Sequence, residues 1–435
     1  MAMRTRALLA LAIFAALLSF VKFSPCQETN WATPGQYIHA CYSDLPSLFG
    51  ERGMADNKWP YASDTNSVEY PVLTGLVMYA TSFVAHSPIS YFNFNAFLLA
   101  LLFIGLVFIV YRIKPEFTYL LPLAPAMIAS LYINWDLWAI ATMMLAIYWF
   151  DRKAYLYSSL ALAVSISTKF LPVFLLLPIL FILWRSNQIR EIFKYAATTF
   201  GIWLAINLPF ALTTPTGWWR FYKLNLEREA DWGSLWLAFN HLGLGLANLN
   251  YLTILLLLIG LTSFVIFLFE VKNTPTLASV AFIVLAIVMI ASKVYSPQYV
   301  LWLTPLAVIA LTNKKDLHAF WIWQIAETLY HVAIWQHLAL FTGAAFGLQQ
   351  GGYATITLIR IGATMYLAWV LIKRALQARN TQGSCSIYSL RPLSLTLNLL
   401  DRALVVGLRK VLTLLSRKCR GRLSPEEVGL THASL

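Results

Sequence analysis

Twelve long apolar stretches constrain the fold of this chain more than any other feature of its sequence. A helix needs about 20 mostly apolar residues to cross a bilayer whose hydrocarbon core is about 30 Å thick. Only 12% of the 435 residues are charged, roughly half the ~25% that is typical of soluble domains. We therefore predict an all-α polytopic membrane protein with about 12 transmembrane helices, at 7–23, 93–111, 117–133, 135–150, 154–168, 170–184, 195–213, 250–269, 276–292, 298–312, 317–338 and 354–372.

The distribution of Lys and Arg predicts which side of the membrane each loop faces, because basic residues accumulate in short cytoplasmic loops. If the apolar stretch 70–86 does not cross, 23 of the 32 basic residues face the cytoplasm with both termini, and eight face outward. If it crossed, every later basic cluster would face outward. We therefore predict that 70–86 is a membrane-surface helix in a long first outer loop, 24–92. A second large outer loop covers 214–249.

The two ends of the chain carry different signals. The N-terminus resembles a signal peptide, but no small-residue cleavage site follows and Pro25 precedes Cys26, so we expect an uncleaved first span. Residues 373–435 hold eleven basic and three acidic residues, which is typical of a cytoplasmic tail with an amphipathic helix on an anionic membrane surface. The net charge of +13 is therefore attributed to membrane orientation and not to a nucleic-acid partner.

The four cysteines divide between the two sides. Cys26 and Cys41 share the first outer loop, where an oxidising compartment permits either a disulfide or two free thiols. Cys385 and Cys419 lie in the predicted cytoplasmic tail and should be reduced. None of the four has the spacing of a metal site.

Polar residues gather on the predicted outer face, whereas the inner loops are short and simple. Most need no functional role, because exposed acids are usually solvated and Trp and Tyr collect at membrane interfaces. Asp136 and Lys169 differ, since they adjoin apolar runs with almost no loop to carry them into water. An ionisable group costs ~2.5–3.5 kcal/mol at the centre of a span and less near its end. These two residues are therefore functional candidates.

Two further charged residues fall inside predicted spans near the C-terminus. Glu327 and His331 are four residues apart and share one helix face, and Arg360 interrupts the last span. We predict an ion pair between Glu327 and Arg360 with a structural role.

Five short motifs on the outer side resemble those of the GT-C class of integral-membrane glycosyltransferases, and more narrowly glycosyltransferase family 87, the polyprenyl-phosphate-mannose-dependent mannosyltransferases. The resemblance covers about residues 7–372. The motifs are Tyr42-Ser43-Asp44-Leu45-Pro46, Glu69-Tyr70-Pro71-Val72-Leu73-Thr74-Gly75, Asn134-Trp135-Asp136, Ser167-Thr168-Lys169-Phe170-Leu171-Pro172 and Ser296-Pro297-Gln298-Tyr299-Val300-Leu301-Trp302-Leu303.

The resemblance implies that a hexose, by default mannose, passes from a polyprenyl phosphate to a lipid-linked or cell-envelope glycan with inversion, on the extracytoplasmic face of the cell membrane. It places the general base in the first outer loop, which points to Asp44. No metal cofactor is expected, because the loop lacks the Asp-x-Asp pair that metal-dependent members use. Candidate substrate-binding residues are Glu69, Asn134, Asp136, Lys169, Arg228, Lys293, Gln298 and Tyr299.

A lipid or glycan transporter or flippase is the alternative. Transporters place polar residues and interrupted helices near the midplane, within repeated halves. We find no internal repeat here, and the polar groups lie at one face. The sequence also lacks a Walker-type loop, a dinucleotide-binding glycine motif, a serine-nucleophile elbow and a zinc-binding His-Glu-x-x-His helix. We therefore expect the substrate to arrive already activated and dissolved in the membrane.

Overall fold

The structure, a computed structural model, describes residues 5–62 and 67–377. These residues form only helices, with no β-strand among them, as the sequence predicts. The first ten α-helices are α1 Thr5–Val21, α2 Ser24–Glu28, α3 Gly35–Ile38, α4 Asp44–Glu51, α5 Val72–Ser82, α6 Pro88–Ile113, α7 Leu120–Leu123, α8 Pro125–Ser130, α9 Asp136–Asp151 and α10 Tyr155–Thr168. The next nine are α11 Leu176–Arg185, α12 Ile189–Thr213, α13 Pro215–Glu227, α14 Leu235–His241, α15 Leu249–Glu270, α16 Leu277–Ala291, α17 Val300–Ala310, α18 Leu317–Phe341 and α19 Gln350–Gln377. Short 3-10 helices cover Met54–Asp56, Leu171–Leu175, Pro297–Tyr299 and Lys314–Asp316.

Among the described residues, five helical segments are long and apolar enough to cross a membrane. They are Thr5–Glu28, Pro88–Ile113, Ile189–Thr213, Leu249–Glu270 and Gln350–Gln377. Other apolar helices, such as α10 and α16, are 14 and 15 residues long. At 1.5 Å per residue such helices reach only ~21–23 Å. The helices therefore support a multi-pass membrane protein, whereas the count of twelve spans stays a prediction.

Prolines explain why several predicted spans are not continuous helices. The stretch 117–133 contains two short helices, α7 and α8, with Pro122 and Pro125 at their junction. The stretch 170–184 begins as a 3-10 helix that contains Pro172. Proline has no backbone N–H and its ring clashes with the preceding turn of a helix. An apolar run that contains proline thus predicts burial better than it predicts one uninterrupted helix.

The apolar stretch 70–86 contains α5, which begins at Val72 directly after Pro71. Its 11 residues extend only ~16 Å, about half the hydrocarbon thickness of a bilayer. One side of α5, including Thr74 and Met78, is buried against α6, α10 and α12. A helix this short agrees with a segment that does not cross, and its position at the membrane surface stays a prediction.

A disulfide closes the first part of the outer loop. Cys26 and Cys41 are bonded, with their Cα atoms 5.9 Å apart, which decides between the two alternatives that the sequence leaves open. The indole N–H of Trp31 donates to the Cys41 carbonyl over 3.1 Å. Closing a 15-residue loop stabilises a fold by about 3 kcal/mol in the chain-entropy model. The bridge therefore fixes the chain three residues before Asp44.

The predicted ion pair between α18 and α19 is present. Arg360 Nε lies 2.8 Å from Glu327 Oε2, and both side chains are buried. The same guanidinium donates to the carbonyls of Tyr295 and Ser296 and covers the rings of Tyr295 and Tyr330 at 3.6 and 4.1 Å. Arg360 thus holds the turn that leads into the 3-10 helix Pro297–Tyr299.

The C-terminal prediction falls largely outside the described part of the chain. Helix α19 continues to Gln377, a few residues past the predicted end of the last span. The amphipathic helix predicted within 373–435 lies beyond the described residues.

Candidate active site

Asp44 occupies the first position of α4, directly after the residue that caps the helix. The Ser43 hydroxyl accepts a hydrogen bond from the Leu45 N–H at 3.2 Å, which is the usual role of serine at a helix N-terminus. It also donates to the Tyr132 carbonyl at 2.7 Å. The Asp44 N–H donates to the Ile133 carbonyl at 2.7 Å. The first outer loop is thereby fastened to the turn that precedes the motif Asn134-Trp135-Asp136.

Two tyrosines surround the Asp44 carboxyl group. The Tyr70 hydroxyl donates to Asp44 Oδ2 at 3.1 Å, and the Tyr42 hydroxyl also interacts with the carboxyl. Burial raises the pKa of Asp44, although both hydroxyls and the nearby charge of Lys169 oppose that rise. A raised pKa makes a carboxylate a better proton acceptor near neutral pH. The environment therefore suits a general base.

Lys169 and Asp136 form an ion pair beside this carboxyl. Lys169 Nζ lies 2.8 Å from Asp136 Oδ1, and the Asp136 side chain is fully buried. The other oxygen, Oδ2, accepts from the indole N–H of Trp302 at 3.2 Å. Asn134 Oδ1 accepts from the Asp136 N–H at 3.0 Å. Asp136 thus orients Lys169, and Asn134 supports the backbone of Asp136.

Tyr70 contacts both Asp44 and Lys169. Its hydroxyl contacts Asp44, and its ring lies beneath Lys169 Nζ at 4.3 Å from the ring centroid. A lysine above an aromatic face is attracted by the negative potential of the ring. The Thr74 hydroxyl donates to the Thr168 carbonyl at 2.5 Å, so α5 also holds the residue before Lys169. Direct contacts therefore link all five sequence motifs around Asp44, Tyr70, Asp136 and Lys169.

Glu69 has two arginine partners. Arg52 Nη2 and Arg220 Nη2 lie 2.6 and 2.7 Å from Glu69 Oε1, and Arg52 Nε donates to Oε2 at 2.9 Å. Burial would raise the pKa of Glu69, but the two guanidinium groups outweigh it and hold that pKa below its usual value. Arg220 belongs to α13, so this carboxylate bridges the two large outer loops.

Two further predicted cations, Arg228 of the second outer loop and Lys293 after α16, have different partners. Arg228 Nη1 lies 3.6 Å from Asp231 Oδ2. Lys293 Nζ instead donates to two uncharged oxygens, the Leu226 carbonyl at 3.0 Å and Asn250 Oδ1 at 2.6 Å. Burial and the charge of Arg228 lower the pKa of Lys293. Within the described residues Lys293 has no carboxylate at ion-pairing distance, so its positive charge is not locally compensated.

Gln298 and Tyr299 lie in the 3-10 helix before α17, at the turn that Arg360 holds. Gln298 is buried and Tyr299 is partly exposed. The Tyr299 hydroxyl lies within electrostatic range of Asp136, Arg228 and Asp231. The charges of Asp136 and of the second outer loop therefore both act on Tyr299.

Several residues of this site were not predicted. Tyr42 and Tyr70 contact the Asp44 carboxylate, and Trp302 contacts that of Asp136. All three lie inside the motifs: the two tyrosines are within two residues of a predicted acid, and Trp302 is near the end of the last motif. Arg52 and Arg220 gave no sequence signal, because their partner Glu69 is 17 and 151 residues away.

The described residues contain no group of three or more His, Cys, Asp or Glu side chains arranged to hold a metal ion. Lys169 is a cation whose charge acts on Asp44, whereas the charge of Arg228 acts on Tyr299 and Lys293.

Comparison with known proteins adds little. No protein-family model matches the chain, and no curated protein does. Among solved structures, the chain is similar to the crystal structure of ArnT from Cupriavidus metallidurans bound to undecaprenyl phosphate, with a TM-score of 0.42 and 12% sequence identity over 86% of this chain and 78% of that chain. A similarity of this size carries no inference about fold or function.

Proposed function

We propose that this protein is an integral-membrane glycosyltransferase that moves a hexose, by default mannose, from a polyprenyl phosphate to a glycan acceptor. The observation that carries the proposal is the arrangement on the two sides of Tyr70, with the Asp44 carboxylate at its hydroxyl and the Lys169 ammonium above its ring. A base and a fixed cation that contact the same tyrosine suit a displacement in which the base accepts a proton and the cation faces a leaving anion.

Asp44 is the proposed general base. As the acceptor oxygen bonds to the anomeric carbon, the bond from that carbon to the phosphate oxygen breaks, and the configuration inverts. The acceptor hydroxyl loses its proton to the Asp44 carboxylate. A positioned general base contributes about 10²–10⁴-fold in rate. The position of Asp44 at the start of α4 also supports its anionic form, since the helix dipole is positive there.

Lys169, Arg228 and Lys293 are the proposed cations for the departing polyprenyl phosphate. Negative charge grows on that phosphate during transfer, and one oriented donor to such charge typically contributes ~2.7–4 kcal/mol. Lys169 lies nearest the base, yet Asp136 compensates its charge. Lys293 has only uncharged partners among the described residues. We therefore propose that Lys169 faces the phosphate at the reacting end and that Lys293 adds uncompensated positive charge, and we propose no metal cofactor.

The remaining predicted residues divide by their contacts. Asn134 accepts a hydrogen bond from the Asp136 N–H, and Asp136 pairs with Lys169. Glu69 pairs with Arg52 and Arg220. Asn134, Asp136 and Glu69 therefore act on the substrate chiefly through these neighbours. Gln298 and Tyr299, at the turn held by Arg360, are proposed to contact the sugar or its phosphate.

A lipid or glycan transporter stays the alternative. An ionisable residue within a span is a candidate for a transport path, and Glu327 and Arg360 are such residues. Their groups are instead bound to one another, to the Tyr295 and Ser296 carbonyls and to the Trp323 indole. These contacts give the pair a structural role and favour the enzyme.

The experiment that tests the proposal supplies radiolabelled polyprenyl-phosphate mannose, glucose or arabinose to membranes with and without the protein. We expect lipid- or glycan-bound label with one of these donors, in amounts that excess chelator does not change. Membranes that show no transfer above background with all three donors would contradict the proposal. Movement of an unreacted lipid across the bilayer would favour the transporter.

A further inference from the structure

Three aromatic side chains lie together beside the candidate base. The ring centroids of Tyr37 and Tyr42 are 5.7 Å apart, those of Tyr37 and Trp335 6.1 Å, and those of Tyr42 and Trp335 5.3 Å. The three ring planes are inclined to one another by 16–37°. Their centroids thus form a nearly equilateral triangle with roughly parallel planes, which we call the aromatic wall.

The wall is anchored from behind and partly open to solvent. Trp335 is 3% exposed, and its indole N–H donates to His331 Nε2 at 3.1 Å. Gln336 Nε2 donates to the Ile38 carbonyl at 3.2 Å, which fastens α18 to the helix that carries Tyr37. Both Tyr37 and Tyr42 keep part of their surface exposed. The exposed part of each tyrosine is therefore accessible to a bound molecule.

The wall adjoins the reacting end of the site. Tyr42 is two residues before Asp44, and its hydroxyl interacts with the Asp44 carboxyl. The charge of Asp44 also reaches the hydroxyl of Tyr37. Lys169, the cation proposed to face the leaving group, lies beyond Tyr70 instead. On the Tyr42 side of Asp44, the neighbour of the attacking hydroxyl group is therefore the aromatic wall and not Lys169.

We propose that Tyr37, Tyr42 and Trp335 bind a pyranose ring of the acceptor by stacking, so that the attacking hydroxyl belongs to a carbohydrate and not to a lipid alcohol. This inference rests on the proposed function and assigns its glycan acceptor a binding site. An aromatic face carries partial negative charge, and the C–H-rich face of a pyranose offers partial positive charge to it. A simple alkyl alcohol offers no such face to the rings.

The test uses the full-length protein in lipid nanodiscs with the labelled donor that the wild type accepts. The acceptor probes are octyl α-D-mannopyranoside and 1-octanol, which share an alkyl chain and differ in the sugar. Release of free sugar without any acceptor reports donor binding and bond cleavage separately. Tyr37→Leu removes a ring of the wall, Tyr37→Phe keeps the ring, and Tyr79→Leu is a matched change of a tyrosine in α5.

We expect Tyr37→Leu to raise KM for octyl mannopyranoside ~10-fold, equivalent to about 1.4 kcal/mol, with kcat changed less than about twofold. Free-sugar release should not change, Tyr37→Phe should retain most acceptor affinity, and Tyr79→Leu should behave as the wild type. A purely structural role for Tyr37 would instead lower kcat and free-sugar release together.

The outcomes separate the two proposals. Any of three results would overturn the aromatic wall as a sugar site: an unchanged KM in Tyr37→Leu, equal use of 1-octanol, or competition by octyltrimethylammonium but not by methyl mannopyranoside. If the wild-type protein still releases sugar from the donor in such a case, the proposed glycosyltransferase function is not contradicted. A wild-type protein that neither releases sugar nor transfers it would remove both.

Discussion

Replacing Tyr70 with phenylalanine tests how the site controls its base. Tyr70→Phe removes the hydroxyl that donates to Asp44 Oδ2 at 3.1 Å and keeps the ring beneath Lys169. That hydrogen bond favours the ionised carboxylate and so opposes the rise in the pKa of Asp44 that burial causes. Its loss should raise this pKa further. The acidic limb of the pH–rate profile should then move to higher pH, and activity should recover at alkaline pH, where Asp44 is ionised in both proteins.

The size of the effect follows from the contact. A hydrogen bond to a charged group contributes about 1.5–3 kcal/mol, and we take the lower end because Asp44 is only partly covered in the structure. The rate on the acidic side should therefore fall by about tenfold. Tyr70→Leu, which also removes the ring under Lys169, should lower the rate at all pH values.

The assay is the initial rate of label transfer, measured across pH for the wild type, Tyr70→Phe and Tyr79→Phe. The Tyr79 variant removes a hydroxyl elsewhere on the outer side and should leave the profile unchanged. A Tyr70→Phe profile that coincides with that of the wild type would refute the proposed coupling between Tyr70 and Asp44.

Three further predictions concern the frame around the site. Arg360→Met leaves Glu327 buried without its partner and should destabilise the protein by about 3–5 kcal/mol. Adding Glu327→Gln should restore most of the lost thermal stability, and equal stability of the single and double variants would contradict the structural role of the pair. Cys41→Ser opens a 15-residue loop and should lower the free energy of unfolding by about 3 kcal/mol. The thermal midpoint should fall to that of the reduced wild-type protein, and an unchanged midpoint would show that the disulfide adds no stability. With the two tail cysteines replaced, Asp56→Cys should react with an impermeant thiol reagent in intact cells and Lys153→Cys should not; the reverse pattern would overturn the orientation.

Local chemistry explains why the sequence could identify the charged residues that the structure pairs. Asp136 and Lys169 stand beside apolar runs, and an ionisable group in such a place requires a partner. The structure pairs the two at 2.8 Å. Glu327 and Arg360 follow the same reasoning and pair at the same distance.

Contacts between distant segments were beyond the sequence. The hydroxyl of Tyr70 reaches Asp44 across 26 residues, and the indole of Trp302 reaches Asp136 across 166. Neither residue type is unusual near a membrane interface, where Tyr and Trp are enriched for physical reasons alone. Only the packing of the helices shows which aromatic residues serve the site.

Helix continuity also depended on more than hydropathy. The run 117–133 is apolar enough for a span, yet Pro122 and Pro125 divide it into α7 and α8. The broken segment still has a clear role, because its last residues, Tyr132 and Ile133, supply the carbonyls that hold Ser43 and Asp44. The sequence identified the apolar run but not the turn that holds Asp44.

The most direct test of the account is the transfer rate of Asp44→Asn, which keeps the size of the side chain and its contact with Tyr70 but cannot accept the proton. Asp56→Asn, an exposed acid of the same loop, is the matched control. We predict that Asp44→Asn lowers transfer by about 10²–10⁴-fold at unchanged thermal stability, while the control keeps the wild-type rate. A stable Asp44→Asn protein that transfers sugar at a rate close to that of the wild type would contradict the assignment of Asp44 as the base.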